Sequence, residues 1–271
     1  MNSLAIFVHY SRNGKTCPNA MLYARELRRF FSNVIISSNI HIDIEEDGIT
    51  ALQFEKNAYD FGYFYQALNA VNAYENYDTI GFFNDSNYII NPLDGVLRWK
   101  NEFEYYGITD SHERRPDVFE DDQYHIQSHF LIFRGKAIKL LHTFFSNIRF
   151  EDNFDFVGDR EKLRAGIIIQ CEIKLTRYML DHGVRCGSYF KANEFVPMVS
   201  GFNVAINMHT LLWKQLIVKG YPFIKKKIID HGFTKADLIS LKTKTGMESM
   251  ETAPTVIREF GDSDFIKTIL V

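Results

Sequence analysis

The sequence predicts an α/β protein in which helices cover a mostly parallel sheet. Short runs such as LAIFVHY (4–10) are almost entirely apolar, which is typical of strands buried on both faces. These runs alternate with longer segments in which apolar residues recur at helical spacing. Strands that alternate with helices in this way favour a parallel sheet.

The predicted elements follow one another with few interruptions. After the first strand, Asn13-Gly14 breaks the apolar run, and a helix is predicted from Pro18 to about Phe31. Further strands are predicted at 33–39, 49–57, 80–83 and 128–135, and further helices at 59–71, 136–147 and 171–183. The polar segment 107–125 is predicted to be a loop excursion. We expect a single domain over residues 1–271, with a helical C-terminal portion from about residue 205.

Composition limits the classes of function. The chain of 271 residues is 46% hydrophobic and 24% charged, as in globular proteins with a substantial core. Its net charge of −3 and its pI near 6.3 argue against a nucleic-acid-binding surface. The three cysteines lack CxxC spacing, which indicates neither a disulfide framework nor a zinc site and fits a reducing cytoplasm. Neither a membrane span nor a signal peptide is predicted, so a cytoplasmic location is expected.

Small polar residues cluster where the predicted strands end. Ligands of open parallel sheets bind outside the carboxyl ends of the strands, so these clusters together predict one polar cleft. Each cluster alone also fits ordinary turn chemistry, because Asn, Asp and Ser favour turns. The clusters are His9-Tyr10-Ser11, Ser37-Ser38-Asn39, Asn57 with Asp60, and Asn84-Asp85-Ser86.

Several segments resemble, in order, those of the rhamnan synthesis protein F family. They are EKNAYDFGYFYQAL, YDTIGFFNDSNYIINPLDGV, HIQSHFLIFRGKAI, CEIKLTRYMLDHG and GYPFIKKKII, preceded by IFVHYS and VIISSN. The resemblance spans roughly residues 4 to 230. It implies a GT-A-like fold and a bacterial glycosyltransferase that builds polysaccharide or lipopolysaccharide.

The resemblance also implies the substrates. The donor would be a sugar on UDP, dTDP or GDP, with rhamnose as the first expectation. The acceptor would be a growing glycan, such as the O-antigen, on a lipid carrier, which would bring the protein to the inner face of the cytoplasmic membrane. A non-catalytic carbohydrate- or nucleotide-binding domain remains the alternative, since Asp85 is a single acid and Ala58 stands where the family usually has Gly.

The resemblance implies a nucleotide site at the strand ends. Asp85 would hold Mg²⁺ or Mn²⁺ against the diphosphate and would thereby assist catalysis. The literal Asp-x-Asp sequence, Asp262-Ser263-Asp264, has no buried strand before it and is interpreted as a solvated tail. Donor-binding positions would be His9, Tyr10, Ser38, Asn39, Asn57, Asp60, Asn84 and Ser86. For Asp60, a capping charge at a helix start is an equally open interpretation.

The remaining candidates lie later in the chain. Glu172 follows an apolar run and would open a helix as the general base of an inverting transferase, or it could only interact with the helix dipole. His125, Gln127 and Ser128 would bind the acceptor or the donor sugar. Lys225 and the two lysines after it could reach the diphosphate, form a solvated helix face or attract anionic lipid head groups.

Overall fold

The computed structural model describes residues 2–55, 59–100, 102–112, 124–148, 150, 160–195 and 207–232. Of the residues discussed above, the following lie outside this described part: Asn57, Ala58, residues 113–123 of the predicted loop, and residues 205–206 and 233–271 of the predicted C-terminal portion, which include Asp262-Ser263-Asp264. Of the helices described, none is long and apolar enough to cross a membrane.

A mixed, mostly parallel sheet of eight strands forms the centre of the described chain. The strands are β1 (Ser3–His9), β2 (Asn33–Ser38), β3 (Ile49–Gln53), β4 (Thr79–Asn84), β6 (Tyr105–Ser111), β7 (His125–Ile126), β8 (Phe130–Arg134) and β9 (Cys186–Phe190). Their order is β3-β2-β1-β4-β8-β6-β7, with β9 beside β6. The first four in this order are parallel, β8 is antiparallel to both β4 and β6, and β9 is parallel to β6. The predicted fold class is therefore confirmed.

A second, two-stranded sheet ties the C-terminal part of the described chain to the end of β4. It consists of β5 (Asn87–Ile89) and β10 (Phe223–Lys225), which pair antiparallel. Within residues 207–232, the described part of the predicted helical C-terminal portion, helices flank the strand β10, and this strand was not predicted.

Helices cover the sheet. They are α1 (Pro18–Arg28), α2 (Tyr59–Ala70), α3 (Asp94–Leu97), α4 (Lys136–Ile148), α5 (Arg160–Ile167), α6 (Lys174–Asp181), α7 (Ala192–Phe195), α8 (Met208–Leu211), α9 (Trp213–Val218) and α10 (Lys226–Gly232). A 3₁₀ turn spans Tyr74–Asn76, and a π-helical segment at Ile168–Ile173 joins α5 to α6.

The core lies on both faces of the sheet, which explains why its strands are almost wholly apolar. Successive side chains of a strand point to opposite faces. Leu4 and Ile6 therefore belong to the cluster that includes α2, α4 and α6, whereas Ala5 and Phe7 pack with α1 on the other face. Phe82 of β4 is fully buried and stacks on Phe64 of α2, with ring centroids 4.4 Å apart.

Two predicted elements need correction. The predicted loop 107–125 is wrong over its first residues, because Tyr105–Ser111 forms the buried strand β6. Gly107 makes this packing possible, since a Cβ there would lie only 2.8 Å from the carbonyl oxygen of Phe130. The helix predicted to begin at 171 instead belongs to a continuous helical stretch that begins at Arg160.

Candidate active site

The carboxyl ends of three parallel strands meet at one edge of the sheet. The register pairs His9 of β1 with Ser38 of β2, and Val8 of β1 with Asn84 of β4. The polar residues that follow these strands are therefore neighbours, although they lie up to about 80 residues apart in sequence.

A polar cleft of about 590 Å³ opens beside this edge. The predicted residues that line it are Asp60, Asn84, Ser86, His125, Gln127, Ser128, Glu172 and Lys225. Other lining residues that the sequence analysis did not select include Tyr59, Asn87, His129, Arg164, Asn207 and His209. The cleft thus combines segments from the first strands, the middle of the chain and its C-terminal portion.

Two carboxylates on one wall of the cleft are linked through Ser128. The backbone N–H of Ser128 donates to Glu172 Oε1 at 2.8 Å, and its hydroxyl donates to Asp60 Oδ2 at 3.4 Å. The amide of Asn84 also donates to Asp60 Oδ2, at 2.6 Å. Burial and the charge of Glu172 raise the pKa of Asp60 to about 6, even though these hydrogen bonds favour its ionised form.

Glu172 owes its position to the π-helical segment. The sequence analysis placed it in the first turn of a helix, but it lies inside the continuous helical stretch, in Ile168–Ile173. The interpretation of Glu172 as a first-turn acid on a helix dipole is therefore wrong. The π-helical segment inserts into this helix and turns Glu172 toward Ser128, and such segments are frequent at functional sites.

Asp85 sits at the rim of the cleft, between the lining residues Asn84 and Ser86, and is bound to two donors. Its Oδ2 atom lies 2.6 Å from His9 Nδ1 and 3.1 Å from Lys226 Nζ. Burial opposes ionisation of this carboxyl, but the His9 hydrogen bond and the Lys226 charge together hold its pKa below the usual value.

The expected divalent-cation site can be tested against this arrangement. Oδ2 of Asp85 already accepts from an imidazole and an ammonium, and the ammonium occupies the place beside the carboxylate that a cation would take. Within the part of the chain that the structure describes, no group of three or more His, Cys, Asp or Glu side chains could hold a metal ion. The residues around Asp85 therefore do not fit Mg²⁺ or Mn²⁺.

Four predicted donor-binding residues, His9, Tyr10, Ser38 and Asn39, lie at the same sheet edge but are not among the described residues that line the cleft. Asn39 uses its side chain to hold the backbone of Ser11, accepting from its N–H at 2.7 Å and donating to its carbonyl at 2.8 Å. The hydroxyl of Ser38 accepts from the N–H of Ile40 at 3.2 Å, and Tyr10 packs near Tyr63. These contacts fix the loops beyond β1 and β2.

A buried network that the sequence analysis missed forms the floor of the cleft. His129 Nε2 lies 2.9 Å from the hydroxyl of Tyr221, and His209 Nε2 lies 2.8 Å from the hydroxyl of Thr109. Thr109 in turn donates to Gln127 Oε1 at 3.0 Å. Burial and the nearby Lys225 lower the pKa of His129 to about 3, so this imidazole is neutral at pH 7. The network holds Gln127 in place.

His125 lies in the buried strand β7 at the same wall. The N–H of the following residue, Ile126, donates to the hydroxyl of Thr176 in α6 at 3.0 Å, so the strand is fixed to the helix that continues from Glu172. His125, Gln127 and Ser128 therefore reach the cleft together, from one short segment.

The parallel strands covered by helices, with an acid pair in a cleft at their carboxyl ends, define an α/β protein of the open-sheet type. The chain belongs to the rhamnan synthesis protein F family, whose model matches residues 30–262. The family resemblance expected from the sequence is thereby confirmed.

Individual relatives are distant. Virulence protein VirA of Vibrio anguillarum is 24% identical over 202 residues, which cover 66% of this chain and 61% of the relative. The glycosyltransferase GlyE in Streptococcus pneumoniae TIGR4 is 10% identical with a TM-score of 0.42, covering 99% of this chain and 64% of that one. The inositol-1-phosphate CTP transferase from T. maritima is 9% identical with a TM-score of 0.39, covering 69% and 84%.

Proposed function

We propose that this protein is a glycosyltransferase that moves a sugar from a nucleoside diphosphate donor to a growing cell-surface polysaccharide or lipopolysaccharide glycan. The observation that carries this proposal is the acid pair of Asp60 and Glu172 in a polar cleft that Lys225 also lines. Membership of the rhamnan synthesis protein F family supports the reaction class.

In this proposal Glu172 is the general base of an inverting transfer. Its Oε1 atom accepts from the N–H of Ser128, which fixes the carboxylate, and Oε2 takes the proton of the acceptor hydroxyl. The acceptor oxygen forms a bond to the anomeric carbon while the bond from that carbon to the diphosphate oxygen breaks. Asp60 lies on the same wall, and its pKa of about 6 allows it to gain or lose a proton near neutral pH.

The other site residues divide into three groups in this proposal. The base and ribose of the donor lie against His9, Tyr10, Ser38, Asn39 and Asn57. The diphosphate faces Asn84, Ser86 and Lys225. The donor sugar or the acceptor contacts His125, Gln127 and Ser128. For the residues that the structure describes, which exclude Asn57, the positions at the strand ends and on the cleft wall support this division.

We propose rhamnose as the first sugar to test and a lipid-linked O-antigen or capsule glycan as the acceptor, reached by peripheral contact with the membrane. The family name supports the sugar, and it is the basis for this choice. Experiment is to decide whether the donor nucleotide is UDP, dTDP or GDP.

The test is hydrolysis and transfer with a panel of nucleotide sugars that includes dTDP-rhamnose, UDP-glucose, UDP-galactose and GDP-mannose. We expect one donor to be consumed well above the others, and Glu172→Gln to abolish most of this turnover. Glu194→Gln is the matched control, because Glu194 is an exposed acid of α7 outside the cleft.

A protein that binds one nucleotide sugar but never consumes it, with or without glycan acceptors, would contradict the enzymatic proposal. That outcome would favour the alternative of a binding domain that keeps the fold.

A further inference from the structure

The lysines of β10 and α10 are brought to the end of β4 by the small second sheet. Lys225 pairs with Asn87 across the two strands, and the N–H of Lys226 donates to the carbonyl of Ser86 at 3.0 Å. These backbone contacts fix the starting points of both side chains beside Asp85. The position of Lys226 is thus built into the fold.

The ammonium of Lys226 is held by two contacts from this edge. It lies 3.1 Å from Asp85 Oδ2 and 5.5 Å from the centre of the Tyr88 ring. The side chain retains 26% of its exposure, so a ligand can reach it. An ammonium has three N–H donors, and Asp85 accepts from one of them, which leaves others for an incoming anion.

His9 holds Asp85 in turn. The N–H of Cys17 donates to His9 Nε2 at 3.3 Å, so Nε2 is an acceptor and Nδ1 carries the proton that is donated to Asp85. His9 itself is buried at the end of β1. His9 therefore orients the carboxylate of Asp85, and that carboxylate accepts a hydrogen bond from the ammonium of Lys226.

The charges around the cleft require such a cation. Asp60 and Glu172 line the cleft and Asp85 stands at its rim, so an approaching diphosphate would meet three carboxyl groups. Lys225 and Arg164 also line the cleft and carry positive charge that offsets these carboxylates. Lys226 adds a third positive charge beside Asp85. As argued above, the residues around Asp85 do not fit a divalent cation.

We propose that Lys226, together with Lys225, supplies the positive charge that binds the diphosphate of the donor, so that donor binding requires no divalent cation. Asp85 and His9 are positioning residues for Lys226 in this arrangement. This inference rests on the proposed function, because it assumes a nucleoside diphosphate in the cleft.

The test is calorimetric titration of the full chain with UDP, dTDP and GDP, each with EDTA and again with Mn²⁺ or Mg²⁺. We expect one of the three to bind in EDTA with an affinity within about threefold of that in metal. Lys226→Met should weaken this binding at least about tenfold, because a charge-assisted contact to phosphate is lost. Lys226→Arg should retain most of the affinity.

Two comparisons separate charge from structure. The corresponding nucleoside, which has no phosphate, should bind Lys226→Met and the wild type within about twofold of each other. Lys227→Met is the matched control, because Lys227 is exposed on the same helix, and it should bind the diphosphate like the wild type.

The outcomes distinguish the two proposals. Binding that appears only with Mn²⁺ or Mg²⁺ overturns this inference and leaves the proposed function standing, and this measurement needs no variant. Unchanged diphosphate affinity in a folded Lys226→Met also overturns it. If none of the three nucleotides binds under any condition, the proposed function fails and the inference fails with it.

Discussion

Replacing Glu172 with glutamine would separate the chemistry of this carboxylate from its part in the fold. The Gln side chain keeps an oxygen that can accept from the N–H of Ser128, the 2.8 Å contact of the native carboxylate. The stability cost should therefore be about 1 kcal/mol or less. Loss of a general base should lower transfer by about 10²–10⁴-fold, or about 3–5 kcal/mol in the activation free energy.

The assay compares three quantities for Glu172→Gln and the wild type: the transfer rate, the donor affinity and the melting temperature. We expect the rate to fall while donor affinity and melting temperature change little, because the base acts on the acceptor. The variant should also lower the pKa of Asp60, since the charge of Glu172 contributes to its raised value. Full activity in Glu172→Gln would refute the assignment of the base, and equal losses of rate and stability would indicate a structural role.

Two further predictions concern stability. The pKa of Asp60 is raised to about 6, so the folded state holds this proton more tightly than the unfolded state and stability is lost as pH rises from about 4 to about 6. The free energy of unfolding should fall by at most about 3 kcal/mol through this group. In urea unfolding, the stability of Asp60→Asn should depend less on pH over that range than the stability of the wild type. An equal pH dependence in both proteins would contradict the raised pKa. Phe82→Ala should lower the free energy of unfolding by about 3–5 kcal/mol, because Phe82 is fully buried and stacked on Phe64. A loss below about 1 kcal/mol in urea unfolding would show that this part of the core collapses around the cavity.

The parallel half of the fold could be predicted because its strands are short, continuous apolar runs between amphipathic helices. The antiparallel half was harder. The strand Tyr105–Ser111 ends in polar residues that become buried only through tertiary contacts: Asp110 accepts from the Ser188 hydroxyl at 2.8 Å and from the N–H of Ala192 at 2.6 Å. No local sequence pattern predicts these hydrogen-bond partners, which lie about 80 residues later in the chain. The π-helical segment was missed because one inserted residue per turn does not stand out in a short apolar run.

The site was predictable only in part, for the same reason. Strand-end polar clusters selected Asp60 and Asn84, which the structure joins at 2.6 Å. Lys226 was considered only as one of three adjacent lysines, and its pairing with Asp85 was not predicted, because the two residues are distant in sequence. His129 and His209 lie 80 residues apart in sequence, but their ring centroids are 4.4 Å apart in the structure. In the sequence, each resembles an ordinary core histidine.

The pairing of β5 with β10 has a consequence for biosynthesis. Asp85 emerges during translation 141 residues before Lys226, the lysine that neutralises it. At roughly 5–20 residues per second, the ribosome needs about 7–28 s to add that interval. During this time β5 lacks its antiparallel neighbour β10, and of the two described partners of the Asp85 carboxylate only His9 has been made. The nascent chain can thus form its parallel strands before Lys226 is made, and the edge of the cleft around Asp85 is completed only once β10 has emerged.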